Sequence, residues 1–214
     1  MSRAQQLVAA LSASIVIVAV SVWIFPGVPH TFSFIEVKEK SSFFGAVGLA
    51  RSEISLPGGE SYTYLTLLYT RTEGNPLPIS GWVIESSNKK LRASIPVGTA
   101  LFVQGVVPTR ATVSLFPGES AIISPSVSPV GASFQKNICS ATLERFQPFY
   151  PPLSNGTSTV EGFYNDCVAK HKEEPDFFLP EWRVFVDRPG LFAEAHNSIL
   201  LMDKDERLVA EYNY

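Results

Sequence analysis

The segment Leu7–Phe25, LVAALSASIVIVAVSVWIF, most constrains what this chain can become: nineteen consecutive residues carry no charge and no proline. At about 1.5 Å per residue, a helix of that length spans roughly 28 Å, close to the hydrocarbon thickness of a bilayer. The run is apolar on every face, whereas a helix packed on the core of a domain this size keeps a polar, solvent-facing side. Its polar members, Ser12, Ser14 and Ser21, can return their hydroxyls to helix carbonyls. Trp23 sits near the outer end, where an indole suits the interface, and Pro26-Gly27 stops the helix. Arg3 and the α-amino group precede the span, so residues 1–6 are expected in the cytoplasm and the rest outside it. The competing reading is a cleavable signal peptide with Ala19-Val20-Ser21 as its small-x-small site. The apolar run continues through Val22–Phe25, which favours an anchor that stays attached. Either way the bulk of the chain is exported.

Beyond the span and a linker over 26–42, residues 43–214 suffice for one domain with a substantial core. Sixteen prolines and fourteen glycines point to many turns joining short strands. The formal net charge is -3, and removing Arg3 with the anchor leaves about -4. No basic tract exceeds Lys89-Lys90, so nucleic-acid binding lacks electrostatic support.

Ser61–Thr70, SYTYLTLLYT, and Ile79–Glu85, ISGWVIE, are the clearest strands by alternation and β-former content. Further short strands are expected at Phe43–Ile54, Leu91–Ile95, Thr99–Val107, Ala111–Phe116 and Ala121–Ile123, separated by Pro/Gly turns. The spacing suggests a β-sandwich rather than a parallel sheet. After Phe134 the pattern changes. Ala141–Phe149 and Val160–Lys172 read as helical, Glu181–Asp187 returns to strand, and Ile199–Met202 with Leu208–Tyr212 forms a closing hairpin within 197–214. A helical excursion at about 136–180 therefore interrupts a mainly β domain.

Tyr64-Leu65-Thr66-Leu67, Pro78-Ile79-Ser80-Gly81-Trp82, Ile95-Pro96-Val97-Gly98-Thr99 and Leu115-Phe116-Pro117-Gly118-Glu119-Ser120 occur in that order. The set resembles the lamin-tail domain family, an immunoglobulin-like β-sandwich of nuclear lamins and many exported bacterial proteins. Ser128–Phe134, Asn137-Ile138-Cys139, Tyr164–Val168, Pro175-Asp176-Phe177 and Glu181-Trp182-Arg183 are similar to a subgroup from candidate-phylum bacteria, in which a helical excursion interrupts the sandwich. The resemblance covers about three quarters of the chain. It implies a fold and a surface location, and no catalytic residue. Trp82 would fill the space between two sheets, contributing roughly 2–3 kcal/mol, while Gly81 and Gly118 suit turns or bulges at strand starts.

Cys139 and Cys167 are the two cysteines. In an exported chain an even count favours a disulfide. It would close a loop with 27 intervening residues, worth roughly 3–4 kcal/mol in the chain-entropy account. The alternatives are zinc held by Cys139, Cys167 and His171, with His196 or water as fourth ligand, and two free thiols. His30 lies in the linker. Asp203, Asp205 and Glu206 offer oxygens to calcium, although a charged hairpin tip is the simpler reading. Asn155-Gly156-Thr157 fits a glycosylation sequon. Phe146, Phe149 and Tyr150, among Pro148, Pro151 and Pro152, either pack beneath the excursion or form a docking patch. With no nucleophile elbow, zincin motif or phosphate loop, no catalytic residue, metal or cofactor is expected. The expected role is a membrane-held structural or binding module engaging a surface protein or glycan. An accessory subunit or cryptic hydrolase outside the cell is the alternative.

Overall fold

The computed structural model describes residues 38–88, 90–154, 162–193 and 197–214. Leu7–Phe25, His30, His196 and the Asn155 sequon lie outside them. Among the described residues no helix is long and apolar enough to cross a membrane.

The domain is mainly β. Its strands are Val47–Ser55 (β1), Ser61–Tyr69 (β2), Leu77–Pro78 (β3), Val83–Ser86 (β4), Leu91–Ser94 (β5), Gly98–Thr99 (β6), Ser114–Leu115 (β7), Ser120–Ser124 (β8), Ser133–Asn137 (β9), Phe178–Phe185 (β10), Ser198–Met202 (β11) and Leu208–Asn213 (β12). A large sheet has the order β1-β2-β8-β10-β9-β6, a small sheet β12-β11-β4-β5, and β3 pairs with β7 alone. One core joins the two larger sheets. Leu65, Leu67, Ala121, Ile123, Trp182 and Val184 from the large sheet meet Ile84, Ile199, Leu201 and Val209 from the small one. That arrangement is consistent with a β-sandwich.

Trp82 is 2 % exposed within this core, its ring centroid 5.6 Å from that of Phe43. It precedes the β4 ladder instead of lying within it. The expected strand Ile79–Glu85 is broken at Ser80-Gly81, where Gly81 has φ +84° and donates its N–H to the Ile95 carbonyl at 2.8 Å. Gly118 has φ +82° and donates to the Tyr69 carbonyl at 3.0 Å. Both adopt the left-handed conformation that a Cβ penalises.

Two further expectations, one strand and one helix, need correction, and the large sheet has a detail that the strand spacing does not address. The large sheet is mixed: β8 pairs with β10 in parallel, and β6 with β9. The chain between β8 and β10 is long enough to return in the same direction, as a parallel pair requires. The expected strand Thr99–Val107 shrinks to Gly98–Thr99 because turns follow at once. The expected helix Ala141–Phe149 is a single 3-10 segment, Ser140–Arg145. The second helix is Tyr164–His171 (α1).

The outer face of the large sheet forms a second core. Register aligns Thr66 with Ile122, Ile122 with Arg183, and Arg183 with Phe134. Phe134 and Phe185 there pack with Phe149, Leu143, Leu153, Tyr164, Val168 and Phe177 from the excursion. The excursion is thus a third layer.

At the hairpin tip Asp203 turns inward. Its Oδ1 accepts from the N–H groups of Asp205 at 2.9 Å and Arg207 at 3.0 Å. Burial pushes this carboxyl up, but hydrogen bonds from Ser41, Arg207 and Asp205, with the Arg207 charge, outweigh it and hold the carboxyl below its usual range. Glu206 instead pairs with Arg92 at 2.9 Å. Of the acids suggested for calcium, Asp203 is occupied with turn geometry and Glu206 with an ion pair, while Asp205 contributes its backbone N–H to the turn.

Among the described glycines, Gly98 has the closest neighbours. A Cβ there would lie 2.9 Å from the Trp182 ring, 3.0 Å from the Ser133 carbonyl and 3.0 Å from Val113. Gly98→Ala is expected to lower stability by about 1–3 kcal/mol through overpacking. Urea denaturation checks this, and a midpoint equal to that of the parent would contradict it.

Candidate functional site: the clamped excursion

β10 has alternating chemistry, with Trp182 and Val184 on one face and Glu181, Arg183 and Phe185 on the other. Because both faces are covered, Trp182 through Phe185 are all buried, including the Arg183 charge at 3 % exposure. Its Nε donates to Glu181 Oε1 at 2.7 Å. Its two terminal nitrogens donate to the carbonyls of Pro151 at 2.8 Å and Pro152 at 2.7 Å. The planar guanidinium presents its donors as a fork, and the two successive carbonyls meet it. The guanidinium therefore ties the returning excursion to the sheet.

Lys136, on neighbouring β9, lies 3.5 Å from Glu181 Oε1. Glu144 accepts the N–H groups of Leu153 at 2.5 Å and Ser154 at 3.2 Å. Two cations thus face two carboxylates beneath the excursion. Burial pulls the Lys136 ammonium below the lysine range, Glu181 opposes that, and Arg183 adds to it. Burial likewise lowers Arg183, against the attraction of Glu181. Buried ions of this kind are tolerable only when paired.

The Cys139–Cys167 disulfide joins the start of the 3-10 segment to α1, with Cα atoms 5.8 Å apart. Both cysteines are buried. The bridge displaces the zinc alternative, and His171 Nδ1 instead lies 2.7 Å from Glu174 Oε1. Among the described residues no three His, Cys, Asp or Glu side chains gather as a metal site. Beside the bridge, Tyr164 donates its hydroxyl to the Phe102 carbonyl at 2.9 Å and accepts from Asn137 Nδ2 at 3.1 Å. Burial pushes its pKa up to about 12.

The suggested docking trio divides. Phe149 is 2 % exposed and belongs to the second core, so it offers no surface. Tyr150 is half-buried, its ring 5.5 Å from that of Tyr62. Phe146 is 59 % exposed and stacks on Phe163. Two shallow clefts lie elsewhere. One of about 210 Å³ includes Gly98, Arg110, Ser128 and Asp187, and one of about 230 Å³ includes Tyr62, Ser126, Pro189 and Phe192.

Comparison with family models, curated proteins and solved structures returns no match. The chemistry of the site therefore rests on its own residues. The buried ions hold layers together through one another and through backbone carbonyls and N–H groups.

The Tyr164 pKa lies above that of an unfolded tyrosine, so its contribution is full below about pH 10 and is lost as pH rises toward 12. A shift of that size corresponds to about 2–3 kcal/mol. Tyr164→Phe is expected to cost about 1 kcal/mol at neutral pH and to flatten the alkaline decline. Denaturant melts of both proteins across pH 9–12 check this, and parallel declines would contradict it.

Proposed function

We propose that this chain is a membrane-anchored, extracytoplasmic structural or binding module, displaying a lamin-tail-type β-sandwich with a helical insertion for adhesion or surface assembly. The observation that carries the reading is the buried Cys139–Cys167 bridge. Such structural bridges form and persist in oxidising compartments and are rare in the cytosol. The uncharged Leu7–Phe25 run supports the same direction of travel. The immunoglobulin-like part of the reading is supported by Trp82 between two sheets and by left-handed Gly81 and Gly118 within the motifs that carry the resemblance. The partner class that fits this reading is a surface protein or glycan, with the membrane engaged through the N-terminal segment and nucleic acid left aside.

The excursion suits such a role. It adds surface to the sandwich without loosening it, because the disulfide and Arg183 fix both of its limbs. A recognition surface on a stiff support loses less ordering entropy on binding.

In intact cells of the source organism, a membrane-impermeant amine reagent is expected to modify exposed lysines such as Lys204. Acid-quenched alkylation is expected to find Cys139 and Cys167 oxidised. Lysines protected until lysis, together with two alkylatable thiols, would place the domain in the cytoplasm and overturn the proposal.

A further inference from the structure

Four strongly exposed apolar side chains lie on segments that the fold fastens to one another. Val106 and Val107 are 60 % and 90 % exposed, and Phe146 and Phe163 are 59 % and 60 %. The two phenylalanine rings stack 6.2 Å apart with an interplanar angle of 18°. Arg145 donates to the Gly162 carbonyl at 2.7 Å, binding the segment of one ring to that of the other. The valine loop is fastened to the start of α1. The Gln104 N–H donates to Asn165 Oδ1, and Asn165 Nδ2 donates to the Gln104 carbonyl, each at 3.0 Å. Two residues beyond Gln104 comes Val106, and two before Asn165 comes Phe163. Single exposed apolar residues are ordinary, but a stacked aromatic pair, with two exposed valines on a loop bonded to the start of the same helix, marks a contact surface.

We propose that this surface, formed by Val106, Val107, Phe146 and Phe163, rests on the lipid bilayer that holds the chain's own N-terminal segment. The inference depends on the anchored reading above. The spacer 26–37 has twelve residues and reaches about 40 Å at full extension, so an anchored chain keeps its domain beside a bilayer at all times. Under that tether even a weak interfacial contact is populated, because the encounter is intramolecular. The patch chemistry fits: phenylalanine and valine enter the headgroup boundary, and Arg145 next to Phe146 can meet anionic headgroups. The neighbouring acid does not oppose this, because Glu144 is turned onto the N–H groups of Leu153 and Ser154.

The test uses the full chain reconstituted in phosphatidylcholine–phosphatidylglycerol vesicles, with flotation confirming attachment. Val107→Cys and, as a reference, Glu60→Cys at the exposed β1–β2 turn carry a nitroxide label. Relaxation by oxygen and by a water-soluble nickel complex reports the surroundings of each. The expected result is an oxygen-to-nickel accessibility ratio several-fold higher at position 107 than at position 60. Equal, water-like ratios in a chain that floats would overturn the bilayer contact while leaving the anchor intact. A chain that fails to float would overturn the anchor and this inference together. Labelling Phe163→Cys in the same way guards against a local effect of the loop, and a water-like ratio there would also count against the proposal.

Discussion

Two-sided burial of Trp182–Phe185, the second half of β10, is the constraint from which the rest of the domain follows. Its inner residues, Trp182 and Val184, complete the core between the sheets. Its outer residues, Arg183 and Phe185, share a face with Phe134 and Ile122 that water would otherwise wet. Covering that face requires a third layer, and the excursion supplies it. The cost of the cover is a buried guanidinium, which is offset by Glu181 and by two proline carbonyls held at hydrogen-bond distance.

The same logic explains how the excursion tolerates so little regular structure. A six-residue 3-10 segment and an eight-residue helix are too short to be stable alone. They persist because the disulfide ties one to the other, Tyr164 bonds across to Phe102 and Asn137, and Glu144 fixes the return at Leu153 and Ser154. Specific polar links between packed aromatic groups take the place of long elements.

Much of the β architecture was legible in the residues. The strand SYTYLTLLYT announces itself by alternation, and the hairpin around Asp203–Glu206 by its flanking apolar runs, because each has one buried face. The strand Ser133–Asn137 was not legible, since SFQKN lacks hydrophobic alternation and owes its place to neighbours distant in sequence. Arg183 and Lys136 were also missed. A charge alternating with Trp182 and Val184 reads as a solvated face, and only the covering layer reverses that. Phe149 illustrates the converse, because a proline-rich aromatic stretch does not disclose which ring turns inward.

The excursion is an integral layer of the domain and not an appended loop. Native-state hydrogen exchange of the oxidised protein tests it most directly, comparing amides of α1 and the 3-10 segment with those of Arg183–Phe185. An integral layer predicts that all of them exchange at closely similar rates through a common opening, and that Arg183→Met accelerates them together. Excursion amides that exchange orders of magnitude faster than a still-protected strand, in both proteins alike, would contradict it.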